Sequence, residues 1–241
     1  MIVSSPFPLY GPCRRRFKLI LADPPWSYDD KLHNGARGAG LHYATHAVEA
    51  IERLDIASVA DDDAMLAMWA VPPQLPEALR LMAAWGFEYL TIGFTWIKLA
   101  AGIDQQRRAV TAALRKRGIV GAVAADALAA AEPWLRGAPR LLMGRQTRQN
   151  AELCLLGRRG RGIERCDAGV NSVVFAPVLK PHSRKPDEVH RRLERLYGDV
   201  PRLEIFARRP MPGWDTWGNE IHDRAGSPVA PTVTLPLRGR R

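Results

Sequence analysis

The sequence is short of cysteine and has no long hydrophobic run. Its 241 residues contain only Cys13, Cys154 and Cys166, which form no Cys-x-x-Cys pair and no disulfide framework. We therefore expect a reduced, cytoplasmic protein without structural zinc. No run approaches the roughly 18 apolar residues that cross a bilayer, and the first fifteen residues lack the apolar block of a signal peptide. These absences argue against the disulfide-rich, secreted and transmembrane classes.

Acidic residues are also in deficit. The chain has 35 Lys and Arg against 25 Asp and Glu, for a formal net charge of +10 and a pI near 10.1. Such an excess favours a polyanion such as a nucleic acid, because each phosphate contact releases condensed counterions. The alternative is a solvated basic surface without a partner. The length is that of one substantial domain with a small additional segment.

Short apolar runs alternate with helical patterns. Phe17–Ala22 is nearly all apolar, the pattern of a strand buried on both faces. Further strands are predicted at 64–71, 89–98, 152–156, 172–175 and 202–207, with helices at 47–54, 75–85 and 186–197. This alternation predicts an α/β fold with a mostly parallel sheet and helices on both faces. We expect an irregular lead over 1–16, one domain over 17–221, and a loosely held tail over 222–241.

Asp23-Pro24-Pro25-Trp26 follows the first predicted strand. Prolines have no amide hydrogen, so the strand must end there, and ligands of open α/β sheets bind at the carboxyl ends of strands. The Asp23 carboxylate and the Pro24 carbonyl, with no competing local amide donor, would accept hydrogen bonds from the exocyclic amine of a planar heterocycle that stacks on Trp26. The alternative is a strand-ending turn with a core tryptophan. The residues alone leave both readings open.

Two other motif types are rejected. The glycines of Asn34-Gly35-Ala36-Arg37-Gly38-Ala39-Gly40 do not have dinucleotide-binding spacing between a strand and a helix. His33, His42 and His46 lack Cys or acidic partners at metal-ligand spacing. We therefore expect no metal site.

Several short motifs in one order resemble the adenine-specific 6-amino methyltransferases with an Asp-Pro-Pro-Trp motif. This family includes the catalytic subunit of the eukaryotic messenger-RNA adenosine methyltransferase and bacterial and phage DNA adenine methyltransferases. The resemblance covers 17–99 and 140–221, and its motifs are Ala22 to Tyr28, His42-Tyr43, Met68-Trp69, Ala84 to Phe87, Thr95 to Lys98, Arg148 to Glu152, His182 to Glu188, Leu203 to Arg208 and Gly213 to Ile221. It implies a class I S-adenosylmethionine-dependent methyltransferase (Rossmann-like) fold with a permuted motif order.

The resemblance also implies roles for residues. The catalytic set is Asp23, Pro24, Pro25 and Trp26. The set around S-adenosyl-L-methionine is Asp23, Lys185, Glu204, Arg208, Asn219 and Glu220, with Glu204 and Arg208 expected on one face of one strand. Tyr28 and Tyr43 are candidates for lining the base pocket, and ordinary packing is the alternative.

A basic, Ala-rich insert at about 100–140 departs from the usual family pattern. It reads as two helices broken near Gly118, and its cations cluster at Arg107, Arg108, Arg115, Lys116 and Arg117. These are candidate contacts to nucleic-acid phosphates. A helical cap or a homodimer surface are the alternatives. The expected reaction is methylation of the 6-amino group of adenine in DNA. RNA as the substrate, or a non-catalytic nucleic-acid-binding partner with the same fold, are the alternatives.

Overall fold

The structure is a computed structural model that describes residues 16–26, 48–99, 104–135, 147, 149–178, 184–218, 221–223 and 226–238. Its strands are β1 Phe17–Ala22, β2 Ala60–Ala70, β3 Glu88–Leu99, β4 Ala151–Arg159, β5 Val173–Pro177, β6 Arg202–Ile205 and β7 Asp215–Trp217. Its helices are α1 Val48–Glu52, α2 Ile56–Val59, α3 Leu75–Ala84, α4 Asp104–Lys116, α5 Gly121–Leu135 and α6 Glu188–Tyr197. This is the α/β class expected from the sequence.

The seven strands are hydrogen-bonded in the order β5-β3-β4-β2-β1-β6-β7. Strand β1 runs parallel to both β2 and β6, β6 runs parallel to β7, and β3 runs parallel to β5. Strand β4 is antiparallel to β2, so the sheet is mixed, with most of its described ladders parallel. Because β2, β1, β6 and β7 are parallel, their carboxyl ends lie along one edge.

The chain divides into two compact units. The first contains the described residues of 1–93, 153–170 and 192–241, and the second those of 94–152 and 171–191. The core of the first unit surrounds β1, where Phe17, Leu19 and Ile20 are fully buried. Burying side chains on both faces requires the nearly continuous apolar sequence that predicted this strand.

The C-terminal segment differs from the expected loose tail. Val233 and Leu235 are buried in the core of the first unit. Leu237 forms a β-bridge with Leu54, and the Arg238 guanidinium donates to the Ala84 carbonyl at 2.7 Å. Alternating apolar residues at 233, 235 and 237 supply one face that packs on the core, so the expectation is wrong for 233–238.

The insert forms the two helices that the sequence predicts. Helices α4 and α5 contact each other within the second unit, and the Ile119 amide closes the end of α4 by donating to the Leu114 carbonyl at 3.0 Å. Gly118 and Gly121 have positive φ values of 73° and 66°. Glycine adopts this conformation at little cost, which explains why the chain turns there.

Candidate active site

Asp23 lies directly after β1, at the carboxyl edge of the parallel strands. The preceding residue, Ala22, is paired with Met68 of β2 and Ile205 of β6. The Asp23 amide donates to the Ile205 carbonyl at 3.4 Å, and the residue is partly exposed. Its backbone is therefore tied to the sheet, and the residue lies at the carboxyl end of β1, where the sequence predicts it.

The Pro24 carbonyl corrects one expectation. The Trp26 amide donates to it at 2.9 Å, so it does have a local donor. The reason is that Pro25 lacks an amide but the next residue does not, and the turn brings that amide back two positions. A carbonyl oxygen has two lone pairs, so it can accept one further hydrogen bond.

Trp26 corrects a second expectation. Its side chain is 7% exposed, and its indole nitrogen donates to the Trp69 carbonyl at 3.0 Å. A buried indole contributes a large apolar area and needs a partner for its N–H group, and this site provides both. Trp26 thus belongs to the core of the first unit, and the expected open face for stacking a base is not available.

Strand β6 ends earlier than the sequence indicates. Glu204 is paired with Leu21 and Thr216 and is partly exposed. The strand stops at Ile205, so Arg208 lies beyond it. The argument that put Glu204 and Arg208 on one face of one strand is therefore wrong, because alternation holds only in extended backbone.

The strand ends at a left-handed residue. Phe206 has φ 62°, the only positive φ at a non-glycine among the described residues. Its ring stacks on Trp85 at a centroid distance of 6.5 Å and meets the edge of Trp217 at 5.5 Å. A left-handed conformation costs an L-residue about 1–2 kcal/mol, and such strain is concentrated at functional sites. Sequence reasoning missed it, since phenylalanine carries no signal for positive φ.

The ends of β6 and β7 approach each other closely. The Ala207 amide donates to the Trp217 carbonyl at 3.0 Å, and a Cβ atom on Gly218 would lie 2.4 Å from the Ala207 carbonyl oxygen. Only glycine fits at 218, so the chain that leads toward Asn219 and Glu220 leaves the sheet beside Ala207. Asn219, Glu220, Tyr28 and Tyr43 themselves lie outside the described residues.

The second unit contains a buried cluster of three charges, Lys98, Glu152 and Lys185. The Lys98 ammonium donates to Glu152 Oε1, and the Lys185 ammonium lies 3.4 Å from Glu152 Oε2. Their side chains are 17%, 11% and 12% exposed in residue order. Lys98 also lies 5.2 Å from the centroid of the Trp96 ring, within cation–π range.

The cluster is electrostatically unequal, with two ammonium groups and one carboxylate. Burial by itself would raise the pKa of Glu152, but the charges of Lys185 and Lys98 outweigh it and hold the pKa below its ordinary value. The contact between Glu152 Oε2 and Lys185 is an ion pair at 3.4 Å, without the geometry of a hydrogen bond. An ammonium has three N–H donors, so this ion pair is compatible with a further anionic acceptor at Lys185.

Lys185 was a sequence candidate, whereas Lys98 and Glu152 were quoted only as parts of motifs. The sequence does contain a feature that could have identified Lys98 and Glu152. Each is a charged residue inside an apolar strand, in Trp-Ile-Lys of β3 and Ala-Glu-Leu of β4. Charged residues are almost never fully buried unless they are paired. A sequence cannot show which buried charges meet, because that depends on strand order.

The remaining candidates are the cations of the insert. Arg107, Arg108, Arg115 and Lys116 are exposed on α4, and Arg117 follows its last turn. Among the described residues no group of three His, Cys, Asp or Glu could hold a metal ion, and none of the described helices is long and apolar enough to span a membrane.

Comparison with known proteins adds the chain's relatives. Residues 17–118 and 137–220 match the MT-A70 family, so the gap in the match contains α5. The chain is 27% identical to the Type II methyltransferase M.MunI of Mycoplasma sp, over 94% of this chain and 84% of that protein.

RNA methyltransferases are also similar. The human N(6)-adenosine-methyltransferase catalytic subunit METTL3 is 25% identical over 86% of this chain, and this chain spans 28% of its length. The N6-methyladenosine RNA methyltransferase MTA1 of Cryphonectria parasitica is 28% identical over 85% of this chain, which spans 52% of that protein.

Proposed function

The chain belongs to the MT-A70 family, and on that premise we propose that it transfers the methyl group of S-adenosylmethionine to the 6-amino group of adenine in DNA. MT-A70 methyltransferases use S-adenosylmethionine as methyl donor. DNA is favoured because the chain spans 84% of a Type II methyltransferase but only 28% of METTL3.

The observation that carries the proposal is the position of Asp23. Asp23 follows β1, in which every residue except Lys18 is buried, its backbone is hydrogen-bonded to the neighbouring strand β6, and the residue remains partly exposed. Two prolines follow it, and they restrict the backbone where the strand ends. A group held in this way needs little reorganisation when a substrate binds, which is the main requirement for electrostatic catalysis.

Methyl transfer to the adenine amine requires hydrogen-bond acceptors from the protein, and it requires no protein nucleophile. The lone pair of the adenine amine is delocalised into the purine, so the amine is a poor nucleophile. We propose that its two N–H groups donate to the Asp23 carboxylate and to the second lone pair of the Pro24 carbonyl. These contacts favour a pyramidal nitrogen and its developing positive charge. Asp23 need not take a proton before transfer.

When bound, the sulfonium donor would supply an activated methyl group: the N–C bond forms as the S–C bond breaks, S-adenosylhomocysteine leaves, and the methylated amine then releases one proton to water. We propose that Lys185 pairs with the carboxylate of its methionine part, because the ammonium group supplies a compact positive charge that matches a carboxylate. Glu204 and Arg208, near the end of β6, are proposed to contact the donor together with Asp23, Asn219 and Glu220. For a duplex substrate, the adenine must leave the base stack.

RNA is the second candidate substrate, since METTL3 and MTA1 are both similar to the chain. The deciding experiment supplies labelled S-adenosylmethionine with duplex DNA, single-stranded DNA or RNA, and identifies the labelled base by mass spectrometry. We expect N6-methyladenine in DNA.

The matched variants are Asp23→Asn and Asp63→Asn, the latter at an aspartate paired with Arg161 at 2.8 Å. We expect Asp23→Asn to lower the methyl-transfer rate by about 10²–10³-fold, and calorimetry of donor binding separates this loss from weaker affinity. Asp63→Asn should leave the rate unchanged. Labelled cytosine, or a folded protein that neither binds the donor nor transfers label, would contradict the proposal.

A further inference from the structure

We propose that the basic face of α4, formed by Arg107, Arg108, Arg115 and Lys116, binds the phosphodiester backbone of duplex DNA. The choice of DNA rests on the proposed function. The electrostatic argument for a phosphate backbone rests only on the geometry of the helix.

The four cations lie on one half of the helix surface. At 3.6 residues per turn, they fall within about 180° of arc. The opposite side carries Val110, Ala113 and Leu114, all half-buried, and α4 contacts α5. The apolar side thus anchors the helix, and the charged side is presented to the solvent.

The cations form two pairs with a useful spacing. Arg107 and Arg108 are about two turns before Arg115 and Lys116, which places the pairs about 12 Å apart along the helix. Phosphates along one DNA strand recur about every 3.4 Å of helix axis, so the two pairs span about three to four base-pair steps. A regular polyanion can therefore engage both pairs at once.

The surface beside this face is concave. A cavity of about 630 Å³ is lined by Arg108, Thr111, Ala112, Arg115 and Lys116, the described residues at its wall. Three of these five are cations, none is acidic, and the other two are small. The Thr111 hydroxyl donates to the Arg107 carbonyl at 2.7 Å and so stays close to the helix. The described wall of the recess is therefore positively charged.

Another arginine-rich helix of the same chain is different. On α6, Arg191 pairs with Glu188 at 2.7 Å, and Arg195 pairs with Asp167 at 2.6 Å. The sequence of α4 contains one acidic residue, Asp104. Within the described part of the chain, Arg115 and Lys116 form no ion pair. The charges of Arg115 and Lys116 are therefore not cancelled by ion pairs in the way that those of Arg191 and Arg195 on α6 are.

A basic amphipathic helix can also bind anionic membranes, but it does so by inserting its apolar face between lipids. In α4 the larger apolar residues, Val110 and Leu114, lie outside the half that carries the cations and are already half-buried in the protein. A cationic face whose apolar side is partly buried in this way fits a phosphate backbone better than a lipid surface.

The test measures how the affinity of the full chain for a labelled 20-base-pair duplex depends on salt concentration, without cofactor. In the triple variant Arg108→Gln, Arg115→Gln, Lys116→Gln, we expect the slope of log K against log salt to fall by about 2.7, since each lost phosphate contact removes about 0.9. Affinity at about 0.1 M salt should fall at least about tenfold. Glutamine is a good helix former, and circular dichroism verifies that the variant is folded.

The matched control removes three exposed arginines elsewhere, in Arg80→Gln, Arg191→Gln, Arg195→Gln, and changes the net charge equally. The inference requires that this control and the charge-retaining Arg108→Lys, Arg115→Lys variant keep most of the slope. An unchanged slope in the folded α4 variant, or an equal loss in the control, would overturn it. The inference would also be overturned if the α4 variant lost affinity only for phosphatidylserine vesicles or only for an RNA hairpin, and kept its affinity for the duplex.

This outcome is separable from that of the proposed function, because no methyl transfer is measured. If the wild type transfers no methyl group but the α4 variant loses its slope, the binding face stands and the catalytic proposal fails. If the wild type methylates DNA but the α4 variant keeps the wild-type slope, the catalytic proposal stands and the binding face fails.

Discussion

The carboxyl edge of β1, β6 and β7 in the first unit and the charge cluster in the second unit hold polar groups by different means. At the edge, Asp23 is placed by its backbone, through the hydrogen bond to Ile205 and the two prolines. In the cluster, Glu152 is placed by its side chain, between two lysines. The edge group remains partly exposed, whereas the cluster is almost completely buried.

The difference teaches where mutations will act. Because Asp23 is partly exposed and its backbone is held by the sheet, we expect the loss of its carboxylate to affect chemistry more than folding. Removing the carboxylate from a buried cluster leaves two ammonium groups facing each other, and that cost falls on the folded state. The following predictions test this contrast, from the largest expected effect on stability to the smallest.

Glu152→Gln should lower the free energy of unfolding by about 3–5 kcal/mol, the usual cost of leaving buried charge uncompensated. Urea denaturation measures it. The control is Glu88→Gln, at an exposed glutamate 3.0 Å from Arg158, where the expected loss is below about 1 kcal/mol. Equal losses in the two variants would remove the contrast between buried and exposed pairs.

The stability that Glu152 contributes should depend on pH. Its folded-state pKa lies below the ordinary value of 4.5, because Lys185 and Lys98 outweigh burial. The contribution is therefore present above that ordinary value and is lost as the pH falls through the folded-state pKa. We expect the difference in unfolding free energy between the wild type and Glu152→Gln to be largest near pH 7 and to shrink in acid. A difference that stays constant into strong acid would contradict the assignment.

At the carboxyl edge, the strain of the positive φ at Phe206 should be measurable as a difference in stability between variants. Phe206→Gly and Phe206→Ala both lose the ring contacts, but only glycine relieves the positive φ. We expect the glycine variant to be more stable than the alanine variant by about 1 kcal/mol. In the strand β5, Val173→Gly and Val173→Ala should show the opposite order. Thermal unfolding of the four variants is the measurement, and alanine above glycine at 206 would argue against strain there.

The elements were largely predictable, and the particular contacts were not. Apolar runs and prolines located β1 at its observed bounds, and the two helices of the insert were expected on either side of Gly118. Strand β6 was predicted too long, because Phe206 looks like a strand residue until its φ is known. Helix α2 and strand β7 were missed, since four-residue and three-residue elements carry almost no periodic signal.

The candidate site was predicted in part for the same reason. Asp23 was located by the proline pair that ends its strand, which is a local effect. The burial of Trp26 and the donor to the Pro24 carbonyl depend on Trp69 and on a turn, so motif reasoning misjudged them. Glu152 and Lys98 were overlooked as functional candidates, because they come together only through the folded sheet.

Local chemistry, which the amino-acid order carries, determined the α/β class, the stop after β1, the basic surplus and the break between α4 and α5. Each of these depends on a few neighbouring residues: apolar continuity, missing amide hydrogens, uncancelled charge and glycine's freedom. Only the tertiary structure decided that Trp26 is core, that Phe206 is strained and that Glu152 is shared by two lysines. These depend on pairing between residues 33 to 54 positions apart or on backbone angles imposed by packing, and no short stretch of sequence contains that information.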